Sequence, residues 1–431
     1  MSKIFIAFYT GINDETNPYA IPHFYESFLN KLKEYGNELY VVVSKNFGSD
    51  WPHIPEKMTK AIQNFNPDLC ILFNNCFYDI SNIVECPIVI YEVDSPLYYS
   101  NKQLIKNNPN RFKFLVGQNS SLKILNEEFL VNKNNIQIIP FFTEIKAITI
   151  PQQYNISFIG TKFCKNTLTP FSKFMITNPS NEEISRYKNL LKILKEQPFI
   201  SRSELFLEEE SLKIKNNFPM DDILFLLSDY ERINLLRVLT DLGVHIWGTD
   251  NWINDRYNEP DLILSYHPEK MYTLKDNEYI YNSSKISISK GHLQGKEGFP
   301  WRIFDIMASN SCLVTEYHSN FDIYLKDIKL PIYENTFDAY RICKDLLDNE
   351  NKRKDIILKA QEVINKNYRF KHIKSIIENF LDINLFATKN GSCTIKNCSI
   401  KNVKKISYKN KIRLKIYNHL KEILERKNII K

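Results

Sequence analysis

Glycine is scarce in this chain, with 11 among 431 residues, and proline is ordinary at 18. Collagen-like and Gly/Pro-rich disordered classes are thereby excluded. No apolar run approaches the ~18 residues that a membrane-spanning helix needs. The opening Lys3–Phe8 is too short for a signal-peptide core. A soluble, unexported, cytoplasmic protein is expected. The eight cysteines include no C-x-x-C pair, and no histidine stands at zinc-finger spacing, so buried free thiols are expected. Cys393 and Cys398 are close in sequence, but two ligands do not make a zinc site. The chain also lacks D-x-D, H-E-x-x-H, G-x-S-x-G and G-x-x-x-x-G-K-[ST]. Zincin, serine-hydrolase and P-loop readings lose their main support, and metal independence with no cofactor is expected.

What is present suits two to three globular domains: 43% of residues are hydrophobic, 25% charged and 13% aromatic. The net charge of +7 is uneven, because residues 385–431 hold thirteen Lys and Arg against two Glu. The remainder is therefore mildly acidic, which argues against a nucleic-acid-binding body. Within the tail, Ile412, Leu414, Ile416, Leu420, Ile423 and Leu424 alternate with Lys411, Arg413, Lys415, Lys421 and Arg426. That pattern suits an anionic inner-membrane surface, and a solvated tail accounts for it equally well.

Short runs rich in Ile, Val and Phe recur through the first 140 residues: Ile4–Phe8, Leu39–Val43, Leu69–Phe73, Ile88–Tyr91, Phe112–Val116 and Ile136–Ile139. Such runs read as strands buried on both faces of a parallel sheet, with helices between them, Tyr19–Tyr35 and Ser120–Val131 being the clearest. After a connector from Pro140 to Pro151 the pattern restarts at Asn155–Ile159, closing on Gly160. Later strands are Val244–Trp247, Lys285–Ser289, Cys312–Thr315 and Leu330–Ile332. Helices are expected over Tyr230–Leu242, Trp301–Ala308, Phe337–Leu347 and Lys352–Ile364. The fold class is α/β, two doubly wound Rossmann-like domains facing a cleft. Residues 1–145 form an acceptor-side domain, and residues 146–366 a second domain with a helical insertion at about 165–228. Residues 367–384 form a terminal helix returning to the first domain, and 385–431 a basic tail.

Three of the glycines fall in Gly291-His292-Leu293-Gln294-Gly295-Lys296-Glu297-Gly298, directly after a strand and before a helix near Pro300. A loop leading into a helix N-terminus, with Lys290, Lys296 and Arg302 beside it, suits a diphosphate. An ordinary basic surface loop is the plainer account. Glu297 and Asp305, separated by seven residues, are acids able to accept hydrogen bonds from vicinal sugar hydroxyls.

The stretch Glu297-Gly298-Phe299-Pro300-Trp301-Arg302-Ile303-Phe304-Asp305-Ile306-Met307-Ala308 resembles the E-x7-E donor-sugar signature of GT-B glycosyltransferases. Arg302–Ala308 and Asn367-Tyr368-Arg369-Phe370 resemble the spore-maturation (CgeB-like) group within them. The likeness covers roughly residues 150–382. It departs at Asp305, one methylene shorter than the usual Glu, and at Asn310, which stands for a glycine that Asn replaces best where φ is positive.

The resemblance implies a glycosyltransferase using a UDP- or GDP-linked nucleotide-sugar. Glu297 would meet the transferred sugar and Asp305 the ribose. Arg302 and the backbone of Gly298, Phe299, Pro300 and Trp301, with Lys296, would lie by the diphosphate. Gly160, Thr161 and Lys162 would form a second phosphate-facing loop, and Gly248 and Thr249 would border the base. Trp247 and Tyr281 read as core or cleft wall. The acceptor, a glycan or lipid-linked molecule, would meet loops of the first domain at Gly11, Asp14, His23 and Asp94, with Asp94, Asp14 and His23 as candidate bases. In a retaining reaction the leaving diphosphate could take the proton instead, its charge held by Lys162, Lys296 or Arg302. The catalytic candidates are Asp94, Glu297 and Arg302. The Asn/Lys/Ile-rich composition suits an AT-rich bacterial source, hence surface-glycan synthesis such as capsule or lipooligosaccharide. An epimerase of the same architecture and a non-catalytic nucleotide- or glycan-binding scaffold are the alternatives.

Overall fold

The computed structural model describes residues 2–10, 20–44, 54, 56–74, 76–96, 99, 102–164, 179–185, 188–189, 220–255, 259–293, 297–385 and 391–398. Most of the insertion expected at 165–228 and of the basic tail, with Gly11, Asp14 and Lys296, lies outside the described residues.

Two parallel sheets carry the chain. The first is built from β1 (Lys3–Tyr9), β2 (Glu38–Ser44), β3 (Leu69–Phe73), β4 (Ile88–Tyr91), β5 (Phe112–Val116) and β6 (Ile136–Ile138). Alternate residues of each strand serve different cores. Ile4, Ile6, Phe8, Leu39, Val41 and Val43 face one apolar cluster, while Phe5, Ala7, Val42, Cys70 and Leu72 face another. This two-sided burial is why the strands read as unbroken apolar runs. Helix α1 (His23–Glu34) covers the first face with Phe24, Tyr25, Phe28, Leu29 and Leu32, a stripe at helical spacing. The opposite face is covered by α2 (Glu56–Phe65), α3 (Lys102–Asn107) and α4 (Asn119–Glu127), which contribute Ile62, Ile105 and Leu125.

The second sheet contains β7 (Tyr154–Ile159), β8 (Val244–Trp247), β9 (Tyr266–His267), β10 (Ser284–Ser289), β11 (Cys312–Glu316) and β12 (Ile332–Tyr333). Its order is β12-β11-β10-β7-β8-β9, so the winding reverses between β7 and β10. In doubly wound sheets ligands bind beyond the carboxyl ends of the strands at such a reversal. The packed helices are α5 (Met220–Val238), α6 (Pro260–Leu264), α7 (Leu274–Asn282), α8 (Arg302–Ala308), α9 (Phe321–Tyr324), α10 (Thr336–Asp348) and α11 (Glu350–Asn367). Helix α5 begins well before Tyr230, inside the segment read as an insertion. It yields to a short 3-10 turn at Thr240–Leu242, and Gly243 follows at φ 77°.

The chain then crosses back. Helix α12 (Phe370–Leu381) places Phe370, Ile373, Ile377 and Leu381 in the core of the first sheet. The two crossing segments lie side by side: the Thr143 N–H donates to Tyr368 O at 3.1 Å. The Arg369 guanidinium donates to Thr143 O (3.0 Å) and Ile145 O (2.6 Å), and Phe370 N–H to Glu144 Oε1 (3.0 Å).

One stretch read as tail is not tail. β13 (Ser392–Cys398) extends the first sheet, pairing in parallel with β2 to give the order β13-β2-β1-β3-β4-β5-β6. Half-buried Cys393 and Ile395 pack on the first core, whereas Ser392, Thr394 and Lys396 are exposed. The period-2 alternation of a one-sided edge strand was present in the sequence, but the high local charge hid it. Asn310 also differs from expectation. It is not among the described residues with positive φ, and is held by Asn282 Oδ1, Ile148 O and the Gln361 amide.

Gly391 starts β13 where only hydrogen fits, since a Cβ there would stand 1.9 Å from Asn37 O. Gly391→Ala is expected to peel the strand from β2 and lower unfolding stability by about 1–3 kcal/mol. Urea titration, with faster amide exchange in β2 but not β4, checks this.

Candidate functional site

At the reversal of the second sheet, β7 runs into Gly160-Thr161-Lys162 and β10 into Lys290-Gly291. One side chain spans both loops. Arg232, buried on α5, donates to Thr161 O through Nη1, and its Nη2 lies 3.4 Å from Lys290 O and 3.5 Å from Gly291 O. Its guanidinium also lies over the Phe163 ring at 4.5 Å. Arg302 reaches the same place from α8, donating to Lys290 O at 3.2 Å. Burial, with Arg302 adding to it, pushes Arg232 down to about 9, so it keeps its proton at neutral pH. Its Nε is buried without a hydrogen-bond acceptor among the described residues. Buried Arg232 and half-buried Arg302 thus converge on the Lys290 carbonyl.

Around them the charges are balanced. Lys290 Nζ lies 2.5 Å from Glu316 Oε2 and 2.7 Å from Glu231 Oε2, and the Gly291 N–H donates to Glu316 Oε1 at 2.7 Å. Burial disfavours the Lys290 charge, but the two carboxylates outweigh it and raise its pKa. Asp229 accepts from Phe163 N–H and Cys164 N–H, fixing the loop after Lys162.

Gly160 and Gly248 are required by contact. A Cβ on Gly248 would lie 2.0 Å from Gly160 O, and one on Gly160 would strike the Phe158 ring at 2.4 Å. Thr249 Oγ1 donates to Lys162 O at 2.8 Å and accepts from Lys162 N–H, while Lys162 Nζ donates to Cys164 O. These residues hold the loops against each other. Trp247 and Tyr281 are buried, as core residues should be.

The Gly-rich segment meets the first domain directly. Phe299 packs among Phe304, Phe321 and Tyr324, and Trp301 stacks on Phe24 of α1 with centroids 4.9 Å apart. Following Pro300 and Trp301, α8 buries Asp305, only 3% exposed. Both its oxygens are taken: Oδ2 lies 2.6 Å from His23 Nε2, and Oδ1 accepts from Thr143 Oγ1 at 2.6 Å. The structure thus brings two expected site residues together in a manner the sequence reading did not foresee. In this structure the Asp305 oxygens meet His23 and Thr143. They form a seam between α8, α1 and the crossing segment. Glu26 of α1 adds to it by accepting from Leu274 N–H at the start of α7.

Glu297 is likewise engaged, its Oε2 accepting from Ser120 N–H at 2.9 Å, and the Gly298 N–H donates to Gln118 Oε1 at 3.1 Å. The Glu297 and Gly298 N–H groups are thus directed at Gln118 of the first domain. Asp94 is half-buried and accepts from Asn74 Nδ2 at 3.0 Å. Asn74 Oδ1 accepts from Val93 N–H and Asp94 N–H, and Asn74 sits at φ 52°. Burial raises the Asp94 pKa despite the Asn74 bond. Beside it Glu92 is pushed up to about 7 by burial, although Ser121, Gly117 and Gln118 donate to it.

Arg232 and Glu92 were the residues sequence reasoning missed. Arg232 had one sign, the polar run Ser228-Asp229-Tyr230-Glu231-Arg232 between Leu226 and Leu235, which no single-faced helix explains. Glu92 had only its position at a strand end. Because Asp305 satisfies His23 and Thr143 together, Asp305→Ala is expected to cost ~3 kcal/mol in urea unfolding. Asp305→Asn, which keeps an acceptor for Thr143, is expected to cost less.

Residues 232–382 match the sequence family described as Glycosyl transferase-like, a span that begins at Arg232 and includes Arg302. Curated protein sequences provide no match. Among solved structures, sucrose-phosphate synthase from Thermosynechococcus elongatus is similar with TM-score 0.53 at 8% identity, covering 89% of this chain and 98% of that one. A glycosyltransferase from Rickettsia africae is similar with TM-score 0.50 at 10% identity, covering 88% and 98%. At such identities the likeness speaks for the fold. The chain therefore has a two-domain fold of the GT-B kind, and residues 232–382 are similar to the glycosyl transferase-like family.

Proposed function

We propose that the protein transfers a sugar from a nucleoside-diphosphate sugar, UDP- or GDP-linked, to a glycan or lipid-linked acceptor in bacterial surface polysaccharide synthesis. The observation that carries this reading is the pair of guanidiniums, buried Arg232 and half-buried Arg302, at the winding reversal of the second sheet. A diphosphate there would supply the acceptor that Arg232 Nε lacks among the described residues. As the bond from the anomeric carbon to the β-phosphate oxygen breaks, negative charge grows on that oxygen, and fixed cations lower its energy. In this reading the reaction is metal-independent because arginine does the work of a cation. The acceptor hydroxyl attacks the anomeric carbon, and its proton passes to the leaving diphosphate or to a carboxylate of the first domain, Asp94 being the candidate.

The segment Glu297–Ala308 supports placement near the spore-maturation (CgeB-like) group, with Glu297 toward the sugar. The ribose is assigned elsewhere than Asp305, whose oxygens are occupied. The composition of residues 399–431, rich in Lys and Arg, supports a peripheral approach to an anionic membrane that would carry a lipid-linked acceptor.

Thermal unfolding with UDP, GDP, CMP and ADP tests the donor half of this reading. One nucleotide at a hundred times its dissociation constant is expected to add about 2.7 kcal/mol of stability. Arg302→Lys, which keeps charge but loses the planar fork, is expected to reduce that gain. If none of the four nucleotides stabilises the protein, the reading fails.

A further inference from the structure

One side chain of the first domain reaches the Gly-rich loop of the second. Gln118, between β5 and α4, is buried. Its Nε2 donates to Glu92 Oε1 at 3.1 Å, and its Oε1 accepts from Gly298 N–H at 3.1 Å and Glu297 N–H at 3.4 Å. An amide has unlike ends. The carboxylate at one end demands the NH2 group, and the N–H groups at the other demand the carbonyl, so the orientation of Gln118 is set from both sides. The absence of a side chain at Gly298 permits the approach, since a Cβ would lie 3.2 Å from Gln118 Oε1. Further bonds run in parallel: Ser120 N–H to Glu297 Oε2 at 2.9 Å, Asn320 Nδ2 to Gly117 O at 2.9 Å, and Asn320 N–H to Glu297 O at 3.3 Å.

We infer that Gln118 is a positioning residue that clamps the Glu297–Gly298 loop to the first domain, in the orientation that Glu92 dictates. That the clamped loop serves a nucleotide sugar rests on the function proposed above; the clamp itself does not. Glu92 is fixed in its turn by Ser121 Oγ and by Gly117 N–H at 2.9 Å. The titratable groups that face it are Asp94 from its own loop, Tyr99, and Tyr324 of α9 from the second domain. Burial first, then the Asp94 charge, raises Glu92 to about 7, against the three donors that favour its ionised form. Near neutral pH the group therefore changes charge. Ionised, it accepts a charge-assisted bond from Gln118 and holds the carbonyl toward Gly298. Protonated, it has an O–H to give, and its pull on the Gln118 NH2 group weakens. The clamp tightens as pH rises through about 7.

Hydrogen–deuterium exchange on the full, ligand-free chain tests this, following the peptide that spans residues 291–300 from about pH 6 to about pH 8 with intrinsic rates removed. Exchange at Glu297 and Gly298 is expected to slow by roughly 5- to 10-fold as pH rises, the worth of one net hydrogen bond. Glu92→Gln should abolish the pH dependence. Gln118→Met, close in size but without the amide, should leave the loop fast at both ends of the range. Protection in β4 and β5 reports folding; if Glu92→Gln loses it, the wild-type pH series and Gln118→Met decide. A wild-type loop without pH dependence, or a Gln118→Met loop that exchanges like wild type, overturns the proposal. Nucleotide titration on the same samples separates the two claims: a clamp without nucleotide binding sinks only the proposed function, and nucleotide binding without a clamp sinks only this inference.

Discussion

The arrangement of the two halves depends on one buried carboxylate. Asp305 cannot remain charged or hydrogen-bonding in an apolar seam without partners, and both partners come from outside its own sheet. His23 is supplied by α1 and Thr143 by the crossing segment. Satisfying that acid brings Trp301 onto Phe24 and Glu26 under the start of α7. The first domain is consequently seated on α7 and α8, the helices that flank the Gly-rich loop. A polar requirement inside the seam sets geometry that apolar packing alone would leave free to slide.

With that seam in place, the strand ends of the two domains carry groups of contrasting character. The second domain offers the guanidiniums of Arg232 and Arg302 at the mouth of β7 and β10, where Lys290 is already paired with Glu231 and Glu316. The first domain offers Glu92 and Asp94, carboxyls whose burial favours the neutral form, at the mouth of β4. Parallel sheets favour this, because the carboxyl ends of all strands in each sheet point the same way and bring the loops that follow them together.

The sheets were legible at the level of single strands. Ile4–Phe8 and Leu39–Val43 announce burial on both faces because every residue is apolar, and Pro140–Pro151 announces a connector because no periodicity survives there. The stretch from Glu297 to Ala308 was legible as a loop and helix of special composition. The partners of its side chains were not. Asp305 and His23 are separated by hundreds of residues, and nothing in local periodicity relates the start of α1 to the second turn of α8. β13 was missed because a one-sided edge strand needs only two half-buried residues, Cys393 and Ile395, to hold it, too few to stand out among lysines.

The sequence by itself determined most of the element types, the two parallel sheets and the segment where glycine, lysine and arginine gather, because hydrophobic period and turn chemistry are local properties of the chain. Only the tertiary structure decided which charges meet. It gave Asp305 to His23 and Thr143, Glu297 to Ser120, and the space between the two loops to Arg232. Those pairings are the outcome of burying ionised groups between distant elements, where each must find a partner that folding, and not sequence proximity, brings within reach.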